Sequence, residues 1–372
     1  MDTNQTANVK LLALLRILLV LALLYGFLVA IHLLGSGIKS MGKETAMELF
    51  SGVANPFAGL AVGVLATVLV QSSSTTTSTI VALVGQAGEG ALKLKSAVPM
   101  IMGANIGTTV TNTLVSVGHV RQGQEFRRAF AAATVHDFFN LMCVFLLLPL
   151  ELATGLLRKT AEWLTVMILG ANASNVEYKS PIKASVKAGG KLVESVLEGI
   201  GLDGIPFAIG LLVMGIALTM ACLVLITRNM RALISGAVER ALNQALGRSG
   251  LIGILLGALI TVAVQSSSIT TSLLVPLCAA GVLTLNNAFP IMLGANIGTT
   301  VTGVLASAAT DKPAGLTIAL VHVLFNVLGI LVFYPIPAIR QIPIKCAEVL
   351  ACLLYTSPSP RDRTRSRMPS SA

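Results

Sequence analysis

Gln71-Ser72-Ser73-Ser74-Thr75-Thr76-Thr77-Ser78 is an uncharged polar run set between apolar flanks, and it recurs as Gln265-Ser266-Ser267-Ser268-Ile269-Thr270-Thr271-Ser272, 194 positions later. A second block, Gly103-Ala104-Asn105-Ile106-Gly107-Thr108-Thr109-Val110-Thr111, returns unchanged as Gly294 through Thr302, 191 positions later. A third, His136-x-x-Phe139-Asn140, returns as His322-x-x-Phe325-Asn326 after 186 positions. Polar groups are expensive in hydrocarbon. Matched polar, glycine-interrupted segments in two halves therefore point to a ligand site between repeats, as in a secondary transporter.

Composition supports a membrane setting. The 372 residues are 54% hydrophobic and 11% charged, whereas a soluble domain carries about 25% charged residues. The net charge of +10 does not read as a nucleic-acid surface, because the basic residues lie in short connectors between apolar runs and in the last few residues. Cytoplasmic loops of polytopic membrane proteins carry such an excess. Five cysteines, Cys143, Cys222, Cys278, Cys346 and Cys352, lie in or beside apolar stretches without paired spacing. They read as small core residues, with no disulfide or transition-metal pattern.

Apolar spans are expected near 11–35, 96–117, 128–150, 205–227, 288–309 and 315–335, each about the 20 residues a bilayer requires. The first is too long for a signal-peptide core and reads as a retained helix. The polar runs differ. Segments 57–70 and 79–87, and again 250–264 and 273–282, are too short to cross and are separated by hydroxyl clusters. Each pair is expected to form a re-entrant helical hairpin, tolerated at membrane depth only where it packs in protein or lines a cavity. The fold class is thus an all-α polytopic membrane protein of two inverted-topology repeats, each with one such hairpin.

The expected division is residues 1–171 for the first repeat, 172–204 for an external linker, 205–354 for the second repeat and 355–372 for a basic Ser/Pro/Arg tail. Three crossings and a hairpin per half force the second copy upside down. Arg121, Arg127 and Arg128 in 118–128, and Arg228, Arg231, Arg240 and Arg248 in 228–248, place those loops and the N-terminus in the cytoplasm by the positive-inside bias. Lys93 and Lys95 fall on the outer side in this scheme and fit it less well. The linker carries a glycosylation sequon, Asn172-Ala173-Ser174, a short and weak signal. The tail breaks off a repeat that should continue, and it reads as a non-native end.

Hydroxyl, amide and unwound carbonyl oxygens suit Na+, while hydroxyls, amide N–H groups and helix N-termini suit phosphate. The candidate ligands are Gln71, Ser72, Ser73, Ser74 and Thr75 with Gln265, Ser266, Ser267, Ser268 and Thr270. Asn105, Thr108 and Thr109 with Asn296, Thr299 and Thr300 would complete the shell, because Gly103 and Gly107 allow unwinding and close approach. Neither block contains Arg or Lys, so a divalent anion there needs accompanying cations. Such hydroxyls in a membrane helix can instead bond only the preceding turn; it is their duplication that favours a site. His136 and His322 divide evenly between helix packing and site contact. Asp137 is an acid inside an apolar run with Val323 as its counterpart, which makes it a functional candidate.

These residues carry a resemblance. The chain is similar to the type II sodium–phosphate cotransporters over about residues 11–352, through both QSSS runs, GANIGTTVTNT at 103–113 and RRAFAAATVHDFFN at 127–140. The resemblance implies import of inorganic phosphate coupled to Na+ across a plasma or bacterial inner membrane, with both QSSS tips forming the substrate region and no cofactor besides the coupling ion. Ala131, Ala133 and Asp137 match the Ala-x-Ala-x-x-x-Asp pattern of the electrogenic members, which implies an additional Na+ at Asp137. The linker lacks the cysteines of the animal members. A passive anion channel and a Na+-coupled carrier of another oxyanion are the alternatives. A serine hydrolase using Ser73 with His136 lacks a nucleophile elbow, and duplicating its nucleophile would serve no purpose.

Overall fold

The computed structural model describes the backbone of residues 3–86, 91–121, 123–170, 181–245 and 250–356. The sequon and the tail beyond 356 lie outside the described residues. Every regular element among those described is helical. The first half contains α1 (Thr3–Ser40), α2 (Lys43–Ser51), α3 (Pro56–Val70), α4 (Ser73–Gly85), α5 (Leu94–Ile106), a 3-10 turn (Gly107–Thr109), α6 (Val110–Val117), α7 (Gly123–Thr154) and α8 (Leu156–Leu169). After α9 (Pro181–Gly199), the second half contains α10 (Gly204–Ala245), α11 (Gly250–Val264), α12 (Ser267–Ala279), α13 (Leu285–Ser307), α14 (Ala314–Phe333) and α15 (Pro337–Thr356).

Five helical stretches among the described residues are long and apolar enough to cross a membrane: Leu11–Ser40, Gly123–Thr154, Gly204–Met230, Leu285–Ser307 and Ala314–Phe333. α2 and α3 form a sharply bent pair, at 94°. The chain is an all-α polytopic membrane protein. Lipid-facing and buried spans separate clearly, since 33% of the apolar window of α1 is buried against 78% of that of α13. Leu11, Leu14, Leu18 and Leu21 project from α1 as large exposed apolar side chains, while α13 carries the second copy of the GANIGTT block through the core.

Three expectations about local structure change. The span at 96–117 is not one helix, because the chain tightens into the 3-10 turn at Gly107–Thr109. The identical nonapeptide in α13 stays helical throughout, so surroundings rather than propensity decide the outcome. The hydroxyl clusters do not separate the hairpin arms. They form the first turns of the second arms, because Ser72 and Ser266 start those helices as N-caps. The stretch 228–248, expected as a loop, continues α10 as helix to Ala245. It is rich in Ala, Leu and Arg, which lose little freedom in a helix.

The element order of the two halves matches, and their packing is crossed. α4 packs on α13 and α14, and α12 packs reciprocally on α6 and α7. Likewise α8 packs on α14 and α15 on α7, while α1 lies along α10. Within each half the first arm meets the GANIGTT helix backbone to backbone. A Cβ at Gly63 would strike the Met100 carbonyl and one at Gly103 the Leu60 carbonyl. Gly257 and Gly294 meet Ile291 and Ile254 in the same way. Small residues at such crossings replace the hydrophobic drive that lipid cannot supply. α9 packs on α1 and α10, with the Tyr25 hydroxyl donating to the Ser185 carbonyl at 2.9 Å.

Candidate functional site

The two polar tips begin at a strained residue. Gln71 (φ 55°) and Gln265 (φ 57°) are the only non-glycine residues with positive φ among those described, a conformation costing about 1–2 kcal/mol for an L-residue. Each side chain offsets part of that cost by donating Nε2 to an otherwise orphaned carbonyl of its own helix end, Val68 O at 2.6 Å and Val262 O at 2.6 Å. The next residue closes the turn. Ser72 Oγ accepts from the Thr75 amide (3.2 Å) and Ser266 Oγ from the Ile269 amide (3.4 Å). Thr75 donates to Ser72 Oγ at 2.9 Å, and Thr270 donates to the Ser266 carbonyl at 3.2 Å.

These bonds leave a specific remainder. The hydroxyls of Ser73 and Ser74, and of Ser267 and Ser268, make no hydrogen bond among the described residues. Ser73 and Ser267 are nevertheless 7% and 3% exposed. The amides of these four residues belong to the first turn of a helix, where no intrahelical carbonyl reaches them. Each tip therefore presents two hydroxyls and two amides at a positive helix end, a donor set suited to an anion. The hydroxyl oxygens remain able to accept a cation.

Behind the tips runs a buried network that ties one half to the other. His136 Nε2 hydrogen-bonds the side-chain oxygen of Asn296. Asn296 Nδ2 donates to Asn140 Oδ1 at 3.0 Å, and Asn140 Nδ2 donates to the Asn105 carbonyl at 3.0 Å. On the other side His322 Nε2 meets Asn105 Oδ1 at 3.4 Å, and Asn326 donates to the His322 carbonyl at 3.0 Å. Each histidine thus reaches the asparagine of the opposite half, and His136 makes no bond to Ser73 of the kind a hydrolase needs. Nδ1 of both histidines, Nδ2 of Asn105 and Oδ1 of Asn326 are buried without a partner.

The remaining candidates divide. Thr108, Thr299 and Thr300 donate to carbonyls of their own helices, Ala104, Ala295 and Ile297, as hydroxyls in membrane helices commonly do. The Thr109 side chain lies outside the described residues. Asp137 sits next to His136 on α7, and its Oδ1 is buried with no hydrogen-bond partner. Phe139 and Phe325 are core, Phe139 packing edge-on against Phe289 at 6.0 Å and Phe333 at 6.1 Å.

Sequence reasoning missed Asn112 and Thr271. Thr271 of α12 donates to Asn112 Oδ1 of α6 at 2.9 Å, a second buried bond between halves. The signal was available as a flaw in the duplication, since Asn112 is matched by Gly303. Thr302 donates to Gln265 Oε1 at 3.3 Å and joins the GANIGTT block directly to the second tip.

The Na+/Pi-cotransporter family matches residues 27–171 and 218–342. The chain is 36% identical to sodium-dependent phosphate transport protein 2A of Rattus norvegicus, over 91% of this chain and 63% of that protein. It is 33% identical to sodium-dependent phosphate transport protein 2B of Homo sapiens, over 90% of this chain and 61% of that protein. It therefore spans less than two thirds of the length of these relatives. No solved structure matches it significantly. With both QSSS tips and both GANIGTT blocks inside the matched segments, the chain belongs to the Na+/Pi-cotransporter family.

Proposed function

We propose that this chain is a secondary active symporter that imports inorganic phosphate together with Na+. The observation that carries this reading is the matched set of unengaged donors, Ser73–Ser74 and Ser267–Ser268, each at a buried helix N-terminus and each carried by an arm packed against the opposite half. Two such sets share the charge of one tetrahedral anion, and the missing positive charge enters as Na+. The relatives named as sodium-dependent phosphate transport proteins support the same substrates. Asn105, Asn296 and the threonines after them line the approach, and Gln71, Ser72, Thr75, Gln265, Ser266 and Thr270 hold the turns from which the ligands project.

Asp137 would hold a further Na+, so that net positive charge moves with each cycle. The buried, unpartnered Oδ1 supports this assignment, because a carboxylate oxygen at that depth otherwise goes unsatisfied. In this reading the halves are inverted relative to each other, the N-terminus is cytoplasmic, and the protein lies in a plasma or bacterial inner membrane. Alternating access comes from one half moving against the other about the crossed network. Labelled phosphate uptake into proteoliposomes tests it. Accumulation above equilibrium should require an inward Na+ gradient and vanish when choline replaces Na+. Uptake indifferent to that replacement, or equilibrating without accumulation, defeats the symport reading and favours a passive channel.

A further inference from the structure

A cavity of about 370 Å³ opens well away from the tips, between the first turns of α7, the loop joining α12 to α13, and α15. Arg127, Arg128 and Gln124 face it from α7, Gly281 and Thr284 from the loop, and Glu348 from α15. We propose that this cavity is a second, separate binding site for a phosphate-bearing anion, held by the two guanidinium groups and the positive end of α13.

The bland reading of Arg127 and Arg128 is a pair of solvated surface cations, as expected at a cytoplasmic helix end. Three features argue beyond it. First, the arginines are exposed but line one concave space together, and neither forms an ion pair among the described residues; Glu348 faces the same space without bridging to them. Second, the loop is shaped around Arg128. Gly281 has φ 75°, and a Cβ there would collide with Arg128 Nη1, so the guanidinium lies directly on the loop backbone. Third, α13 starts at this wall. Thr284 caps it by accepting from the Asn287 amide at 3.3 Å, and the amides of its first turn add a fixed partial positive charge.

Two guanidinium groups against one carboxylate leave the cavity electropositive, the negative end of α12 at Cys278 offsetting the positive end of α13. Planar, forked guanidinium donors match phosphate geometry better than they match a spherical halide. The volume accommodates a tetrahedral anion with an ester substituent, so free inorganic phosphate and a lipid phosphomonoester headgroup share the required chemistry. The cavity touches α12 at Cys278, near the helix end opposite Ser267. Thirteen helical residues separate the two ends by about 20 Å, so a ligand here cannot be the one held at the tip.

The test is thermal unfolding of the full chain in neutral phosphatidylcholine nanodiscs, with choline in place of Na+ so that the proposed tip site is idle. Inorganic phosphate is titrated in one arm and a short-chain phosphatidylinositol 4-phosphate in the other. A rise in Tm with either probe that persists in Ser73→Ala/Ser267→Ala and weakens at least about tenfold in Arg127→Gln/Arg128→Gln supports the site, and the probe that acts names its source. Glu348→Gln removes the one opposing carboxylate and should tighten the same response, which guards against a double variant that fails to fold. No stabilisation by either probe, a response unchanged in the arginine variant, or a weaker response in Glu348→Gln overturns the proposal. None of these outcomes depends on Na+-coupled uptake, so this site and the transport reading fail separately.

Discussion

Gln71 and Gln265 look from sequence like ligands, yet their amides are committed to Val68 and Val262 and their left-handed backbone makes the turn. A side chain's bonding commitments cannot be read from its type. The sequence therefore marked the segment but could not separate its turn-forming side chains from its unengaged hydroxyls. Gln71→Ala keeps the strain and loses the cap, so it should destabilise the protein by about 1 kcal/mol, measured by thermal unfolding in detergent. Asp137→Gly should leave phosphate uptake intact while abolishing the current, measured by electrophysiology on reconstituted membranes. An unchanged current removes the role assigned to Asp137. Asn112 escaped notice because duplication was the guide and Asn112 is where duplication fails. Asn112→Ala removes this bond between the halves, but Thr271 still donates to the Ser267 carbonyl at 2.9 Å, so thermal unfolding should show a loss of only about 0.5–1.5 kcal/mol.

Among the elements, the hairpin arms and most spans were legible because length and hydropathy report them directly. The 3-10 turn at Gly107–Thr109 was not. Its sequence is identical to a stretch of continuous helix in α13, so no local rule distinguishes the two, and the difference resides in the neighbours of the turn, α3 and α7 among them. The glycine crossings were half-legible. Gly103 and Gly107 were expected to allow both approach and unwinding, but their counterparts Gly294 and Gly298 approach α11 closely without unwinding. Gly103→Ala and Gly294→Ala would each drive a methyl group into a backbone carbonyl. Overpacking of that kind costs about 1–3 kcal/mol or more, and lowered Tm with reduced folded yield should follow in both variants. Glu151 ends α7 and accepts from the Leu157 amide at 2.7 Å, which caps α8 in place of a conventional N-cap. Glu151→Ala should lose about 0.5–2 kcal/mol, again by thermal unfolding.

For the whole molecule, two halves exchange arms. α4 reaches into the second half, α12 into the first, and the His136–Asn296 and His322–Asn105 contacts lock the exchange at its centre. The repeat itself was legible because three blocks recur in the same order at offsets that agree to within eight residues. The crossed pairing was not, because sequence identity between halves does not say which half an arm packs against. In the proposed reading that crossing lets Ser73 and Ser267 serve one ligand, and a double-mutant cycle measures it most directly. Phosphate KM at fixed Na+ is determined for the parent chain, Ser73→Ala, Ser267→Ala and the double variant. If both tips hold the same anion, the effects are non-additive by about 0.5 kcal/mol or more. Strict additivity of the two substitutions would contradict a single shared site.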